Sequence, residues 1–215
     1  MQTRKGQSIE DASMEMIETE IGKHNYDNME WPIVRRVIHS TADFDFAQKN
    51  AIVFHKNAIK SGMNALENGC DIVVDVNGVS GLFNKQNLKD FGNKIVCKIS
   101  DPEVITKAKD ANLTRSQLSM RLSKDSMQGG VIVIGNAPTA LLEVIKMLNE
   151  KIIKPALIIG MPVGFISAAE SKEELQKLDV PFISNIGRKG GSPSASAIIN
   201  ALYKLIREYS SSRIG

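Results

Sequence analysis

The sequence predicts an α/β fold, in which a doubly wound, five-stranded parallel sheet lies between two layers of helices and follows a helical N-terminal extension. Two patterns lead to this prediction. Five short runs rich in β-branched residues are apolar throughout, as expected for strands that are covered on both faces. Segments with apolar residues at helical spacing lie between and around these runs, and alternation of strand and helix is typical of right-handed βαβ units.

The predicted elements follow the chain in a regular order. Helical spacing alone precedes the first strand, so residues 1–70 are interpreted as the extension and residues 71–210 as the α/β core of a single domain spanning residues 1–215. From their continuous apolar character, the strands are predicted at residues 72–74, 95–97, 131–134, 156–159 and 181–184. From the spacing of apolar residues, the helices are predicted at residues 9–21, 31–41, 52–66, 102–111, 115–122, 138–148, 171–178 and 194–209.

Composition limits the classes of function. With 42% apolar and 24% charged residues, the chain is typical of globular proteins rather than disordered ones. Its formal net charge of +3 is too small to indicate a nucleic-acid partner, although it favours anionic ligands. The longest uncharged stretch, residues 126–142, contains three glycines and a proline, so no membrane association is expected. Cys70 and Cys97 form no CxxC pair and no signal peptide is recognisable, which favours a cytoplasmic location.

Ligands of doubly wound sheets bind at the carboxyl ends of the strands, so the loops at those ends are the candidate sites. Residues 135–141 (GNAPTAL) follow the third predicted strand, and Pro138 begins a helix whose N–H groups can receive an anion. The alternative is an ordinary strand-to-helix turn. Residues 160–172 follow the fourth strand, where Phe165 is either a stacking face for a flat, apolar ligand or a plug in the core.

The loop after the fifth predicted strand is cationic. Residues 187–193 (GRKGGSP) combine two cations, glycines and a hydroxyl at the start of a helix, which indicates an anion-binding nest; the alternative is a solvated basic loop. The loop has neither Walker A nor GxGxxG spacing, which counts against a nucleotide-dependent enzyme.

One histidine stands out as a candidate acid. His39 ends an amphipathic helix one turn after Arg35 and Arg36, and nearby cations would lower its pKa until an anionic substrate raised it again. A structural role is the alternative for His39. Arg115 begins another helix and offers a guanidinium for a carboxylate; the alternative is a solvated arginine. No metal-ligand spacing or nucleophilic triad is visible, so the residues by themselves indicate only a site for a large, partly flat anion.

Five blocks in one order carry a more specific signal. They are residues 36–39 (RVIH), 114–116 (TRS), 135–141 (GNAPTAL), 160–165 (GMPVGF) continuing to 169–172 (AESK), and 190–192 (GGS). In these blocks the chain resembles the precorrin-8 and cobalt-precorrin-8 methylmutase family, the isomerases of corrin ring synthesis. The chain departs from the family pattern at residues 75–79 (DVNGV), so no substrate contact is assigned there.

The resemblance implies a flavodoxin-like fold, a homodimer with active sites near the subunit boundary, and no protein-bound cofactor. It implies a polycarboxylate corrinoid substrate, either precorrin-8 or its cobalt form, and a catalytic role for His39. The substrate-binding residues that it implies are Ser13, Arg36, Thr114, Arg115, Asn136, Thr139, Gly164, Phe165, Arg188, Gly191 and Ser192.

The implied reaction moves a methyl group from C11 to C12 of the macrocycle and yields hydrogenobyrinate, or cobyrinate when cobalt is present. A 1,5-sigmatropic shift of this kind is intramolecular, so the protein has mainly to hold the macrocycle in a reactive geometry. Protonated His39 is expected to donate to the ring C nitrogen as the methyl group leaves C11. A non-catalytic corrinoid carrier is the alternative function, since it would need the same loops but no acid at His39.

Overall fold

The computed structural model describes residues 3–212, and the ends of the expected single domain, residues 1–2 and 213–215, lie outside the described residues. The strands are β1 (Ile52–Phe54), β2 (Asp71–Val74), β3 (Lys94–Val96), β4 (Val131–Ile134), β5 (Leu157–Gly160) and β6 (Phe182–Asn185). The helices are α1 (Arg4–Ile21), α2 (Trp31–Thr41), α3 (Ala58–Glu67), α4 (Asn77–Ser80), α5 (Lys85–Phe91), α6 (Pro102–Asp110), α7 (Arg115–Leu122), α8 (Pro138–Asn149), α9 (Ala168–Gln176) and α10 (Ser192–Ser212). Short 3₁₀ turns cover Phe44–Ala47 and Lys124–Met127.

The strands form one mixed sheet in the order β1-β6-β5-β4-β2-β3. Strands β2 to β6 are parallel, whereas β1 pairs antiparallel with β6, with Ile52 opposite Asn185. The predicted α/β class is confirmed, but the prediction of five strands, all parallel, is wrong because β1 adds a sixth. Residues 52–54 were predicted as the start of a helix over 52–66, and the helix in fact begins at Ala58. β-Branched Ile52 and Val53 favour a strand, and an edge strand this short leaves little periodicity to detect.

Helices cover both faces of the sheet and enclose two separate cores. Successive side chains of a strand point to opposite faces, and β2 shows the division. Ile72 and Val74 pack in one core with residues of α2, α3 and α10, such as Val34, Leu66 and Leu202. Val73 packs in the other core, whose helical members are contributed by α7, α8 and α9. The continuous apolar runs in the sequence are explained by this two-sided burial.

The N-terminal segment folds onto the sheet domain through α2. Helices α1 and α2 are joined by ion pairs from Arg36 to Glu10, at 2.6 Å, and from Arg35 to Glu18. Helix α2 packs against α10, and both helices belong to the same core. The expectation that residues 1–70 are helical is correct for α1, α2 and α3 and wrong at β1, which pairs with β6 inside the sheet. Within residues 3–212 every helix is too short or too polar to cross a membrane.

Candidate active site

The loops at the carboxyl ends of the central strands converge on the start of α10. A Cβ atom on Gly135, which follows β4, would lie 3.0 Å from the Cα of Ser192 and 2.7 Å from a methyl group of Val79, so only glycine fits there. A Cβ atom on Gly78, which follows β2, would lie 3.6 Å from the Ser192 hydroxyl. The loops after β2 and β4 therefore meet the start of α10 at Ser192.

The end of α2 reaches the same place. The hydroxyl of Ser40 donates a hydrogen bond to the carbonyl oxygen of Pro193 at 3.2 Å, which attaches the last turn of α2 to the start of α10. His39 is half-buried in the last turn of α2. Burial lowers the pKa of His39 from its usual 6.5, the charge of Arg36 lowers it further, and the charge of Glu10 opposes the change. Arg36 is not an unoccupied cation, because its guanidinium pairs with Glu10 at 2.6 Å.

Asp75 is a buried carboxylate at these loops that the sequence did not reveal. Its side chain is fully buried after β2, and its carboxylate accepts hydrogen bonds from the backbone N–H groups of Gly135, Asn136 and Ala137 at 3.0, 2.8 and 2.7 Å. Burial raises the pKa of Asp75, and the three N–H donors oppose that rise. The interpretation of this loop as an anion-receiving helix start is therefore wrong for these three N–H groups, since a carboxylate of the chain already binds them.

The starts of α7 and α8 meet through a cluster of hydroxyl groups. Thr114 caps α7 through its side chain, and its hydroxyl donates to the Thr139 hydroxyl at 3.3 Å. The Ser116 hydroxyl lies 2.8 Å from that of Thr139. Arg115 lies between Thr114 and Ser116 in the sequence, and its side chain is exposed. The side chain of Asn136, in the neighbouring loop, is exposed too. The structure thus brings Thr114 and Thr139 together and leaves two polar side chains open to a ligand.

The loop after β5 presents an exposed aromatic ring. Phe165 is 84% exposed, so the alternative in which it plugs the core is wrong. The guanidinium of Arg188 lies over this ring, 5.8 Å from its centroid. The backbone N–H of Gly164 donates to the carbonyl of Arg188 at 3.2 Å, which ties the loop after β5 to the loop after β6. Phe165 and Arg188 therefore form one surface that is both apolar and cationic.

The glycines before α10 are required by close backbone contacts. A Cβ atom on Gly190 would lie 2.4 Å from the carbonyl oxygen of Met161, and the N–H of the buried Gly191 donates to the same oxygen at 2.8 Å. Lys189 is bound to the carboxylates of Asp43 and Asp45, at 2.8 and 2.5 Å. Of the two cations in this loop, only Arg188 is thus directed at the surface that carries Phe165.

Ser13 lies on α1, outside these loops. Its half-buried hydroxyl donates to the carbonyl oxygen of Ile9 at 2.8 Å. It follows Glu10 by three residues and so shares that residue's helix face, which contacts Arg36. Within residues 3–212, no three His, Cys, Asp or Glu side chains are grouped in a way that could hold a metal ion.

Comparison with known proteins identifies the family. The family model described as precorrin-8X methylmutase matches residues 8–205. The chain belongs to the precorrin-8X methylmutase family. It is 49% identical over 200 residues to the cobalt-precorrin-8 methylmutase of Priestia megaterium, covering 93% of this chain and 88% of the relative. It is 47% identical over 211 residues to the protein of that name from Leptospira interrogans, covering 94% and 95%.

A solved structure agrees with the fold as well as with the sequence. The precorrin-8x methyl mutase of Thermus thermophilus is 34% identical and superimposes with a TM-score of 0.86, covering 94% of this chain and 98% of the other. The chain is accordingly a methylmutase, an isomerase of cobalamin biosynthesis.

The exposed groups of this methylmutase are suited to a large anionic ligand. Exposed Arg115 and Arg188 can bind carboxylates at two separate points, and the ring of Phe165 can contact an apolar face. His39 is a titratable group in the last turn of α2, which Ser40 attaches to the start of α10. Such an arrangement can orient a large polyanion and donate a proton to it.

Proposed function

We propose that the protein moves a methyl group from C11 to C12 of cobalt-precorrin-8 and releases cobyrinate. The name cobalt-precorrin-8 methylmutase, which the relatives at 49% and 47% identity carry, supports the choice of the cobalt-containing substrate. The cobalt belongs to the macrocycle in this proposal, and the protein contributes binding, orientation and a proton. The order of the five parallel strands, β3-β2-β4-β5-β6, supports a flavodoxin-like description of the core.

His39 is the general acid of the proposed reaction. The observation that carries this assignment is the hydrogen bond of Ser40 to Pro193, since it holds the end of α2 against the loops where the substrate would bind. Burial and Arg36 lower the pKa of His39 in the free protein, and the carboxylates of a bound corrinoid would raise it again. Substrate binding would thus produce the imidazolium that donates to the ring C nitrogen, a contribution of about 10²–10⁴-fold to the rate.

The remaining substrate contacts divide by chemistry. Arg115 and Arg188 would bind peripheral carboxylates, while Phe165 and the backbone of Gly164 would lie against the flat face of the ring. Hydrogen bonds from other polar groups would complete the binding of the substrate periphery. The groups proposed for these hydrogen bonds are Asn136, Thr114, Thr139, Ser192, the backbone of Gly191 and, from the α1–α2 pair, Ser13 and Arg36.

We further propose a homodimer, with α1 at the subunit boundary. Ile9 and Met16 are 60% and 62% exposed and lie two turns apart on one face of α1, where a second copy would cover them. Light scattering of the purified protein, compared with an Ile9→Lys variant, tests the dimer; a monomeric wild-type protein would contradict it.

A cytoplasmic location is proposed because Cys70 and Cys97 are both free thiols.

The reaction is tested by mixing purified protein with cobalt-precorrin-8 and following the visible spectrum until it becomes that of cobyrinate. His39→Ala should bind the substrate and lose turnover by at least about a hundredfold. His55→Ala is the control, because His55 pairs with the exposed Asp179, away from the proposed site, and the variant should turn over normally. Wild-type protein that binds without conversion would identify a corrinoid carrier instead, and undiminished turnover by His39→Ala would reject the role of His39.

A further inference from the structure

Lys172 is a buried lysine without an acidic partner. It lies in α9, its side chain has no exposed surface, and its ammonium group donates to the Asn185 side-chain oxygen at 3.1 Å and to the Lys189 carbonyl oxygen at 2.7 Å. Lysine is among the residue types that are almost never fully buried unless they are paired. A buried ammonium bound only to neutral oxygens is costly, so its presence calls for a specific reason.

The two acceptors place Lys172 directly beneath the loop after β6. Asn185 ends β6 and donates from its side-chain amide to the same Lys189 carbonyl at 2.7 Å, so that oxygen accepts two hydrogen bonds. The backbone two residues further on is also held, since the N–H of Gly191 donates to the carbonyl oxygen of Met161 at 2.8 Å. The loop is therefore fixed by hydrogen bonds to α9 and to the backbone after β5.

This loop carries the groups that the proposed function assigns to the substrate. Arg188 immediately precedes Lys189, and Gly191 and Ser192 follow it at the start of α10. The side chain of Lys189 itself points to Asp43 and Asp45, so only its carbonyl group contacts Lys172. The charge of Lys172 is thus not neutralised from the loop side and adds to the positive potential under Arg188.

We propose that Lys172 is a positioning residue for the anionic substrate: it holds residues 187–192 in their binding conformation and supplies a fixed positive charge beneath them. This inference rests on the proposed function for the identity of the ligand, a corrinoid polycarboxylate. Lys172 does not touch the ligand in this proposal and acts through the Lys189 carbonyl group and the backbone that follows it.

The charge state of Lys172 makes the proposal testable by pH. Burial alone lowers the pKa of Lys172 to about 8. The groups that face it are the amide of Asn185 and the carbonyl of Lys189, and Gln176 on its own helix donates to the carbonyl of Asn185 at 3.4 Å. Lys172 is therefore charged at neutral pH and loses its charge as the pH rises through about 8, so corrinoid binding should weaken over that range.

The test compares Lys172→Met, which keeps the length and removes the charge, with Lys177→Met, which removes an exposed lysine paired to Glu174 at the end of the same helix. Lys172→Met should raise KM for cobalt-precorrin-8 and the Kd for cobyrinate by roughly tenfold, with kcat changed much less, and should abolish the alkaline loss of binding. Lys177→Met should match the wild-type protein. A folded Lys172→Met protein with wild-type KM and Kd would overturn the proposal.

Two further measurements keep the outcome decisive. If Lys172→Met fails to fold by circular dichroism, the wild-type Kd for cobyrinate decides alone. A Kd that is constant from pH 7 to about 10 would overturn the proposal, since Lys172 would lose its charge in that range.

If wild-type protein neither binds nor converts corrinoids, the proposed function fails. The positioning role is then read from trypsin cleavage after Arg188, which should be faster in Lys172→Met than in Lys177→Met, whereas equal rates would reject it.

Discussion

The hydroxyl group of Ser40 is hydrogen-bonded to the carbonyl oxygen of Pro193 at 3.2 Å, across 153 positions of the sequence. It also donates to Val37 within α2, at 2.9 Å. This shared hydroxyl attaches the last turn of α2 to the first turn of α10. The distance of His39 from the glycine-rich loop before α10 is consequently set by helix packing rather than by a flexible loop.

Glu10→Gln should lower the pKa of His39 further. The carboxylate of Glu10 raises that pKa by favouring the imidazolium, and the substitution also leaves the charge of Arg36 uncompensated. Because the proposed general acid is the protonated form of His39, turnover of Glu10→Gln at subsaturating substrate should be lost at a lower pH than in the wild-type protein. Histidine titration by NMR measures the change directly. Glu18→Gln is the control, since Glu18 pairs with Arg35 and should leave His39 unchanged; an unaltered pKa in Glu10→Gln would contradict the prediction.

Asp75→Asn should destabilise the fold by about 1–3 kcal/mol, because an amide has one acceptor oxygen and would turn its NH₂ group toward backbone N–H donors. Urea denaturation gives the change in the free energy of unfolding. Asp71→Asn, at the start of the same strand and only half-buried, should change it by less than about 0.5 kcal/mol. Equal stabilities of the two variants would show that the contacts of Asp75 do not hold the loop after β4.

Substitution of two arginines of α7 should affect different properties, KM in one case and stability in the other. Arg115→Ala should raise KM roughly tenfold and leave stability unchanged, because its exposed guanidinium is proposed to bind a substrate carboxylate. Arg121→Ala should lower the free energy of unfolding by about 1–3 kcal/mol with KM unchanged, because it leaves the buried carboxylate of Glu143 without its partner at 2.5 Å. Steady-state kinetics and thermal denaturation of both variants test the contrast. An unchanged KM for Arg115→Ala would remove Arg115 from the site.

Substitution of two phenylalanines should likewise affect ligand binding in one case and stability in the other. Phe165→Ala should weaken cobyrinate binding and leave the free energy of unfolding within about 0.5 kcal/mol of the wild-type value, since the ring is 84% exposed. Phe182→Ala, in β6 and 4% exposed, should cost about 3–5 kcal/mol of stability. Absorbance titration with cobyrinate and urea denaturation distinguish the two. Undiminished binding by Phe165→Ala would mean that the exposed ring serves another surface.

Sequence patterns located most of the sheet, because buried parallel strands leave an unmistakable apolar run. Strand β4 matches its prediction residue for residue, and β5 and β6 are each displaced by one position. Strand β1 was not predicted, because three residues at a sheet edge are too few to show the alternation of a strand and because a helix, α3, follows closely. The short helices α4 and α5 were missed for the same reason, since a few residues cannot display helical spacing.

The candidate site was predictable where its residues belong to one of the five sequence blocks. It was unpredictable where it depends on contacts between distant parts of the chain. His39, Thr114 and Thr139 belong to such blocks, and the structure brings the two threonines together. Asp75 gave no signal, because nothing in a linear sequence shows that a carboxylate after one strand will meet three N–H groups after another. Lys172 lies in one of these blocks, but its burial was not predictable, since lysine is normally expected at the surface.

The contact between Asp75 and the loop after β4 has a consequence for inhibition. Backbone N–H groups at the beginning of a helix ordinarily attract phosphate or sulfate. Here the chain supplies its own carboxylate to those groups, so small inorganic anions find that position occupied. In the proposed function, affinity comes instead from exposed groups on different loops, such as Arg115 at the start of α7 and Arg188 after β6. Inorganic phosphate is therefore expected to inhibit the enzyme only weakly through the loop after β4.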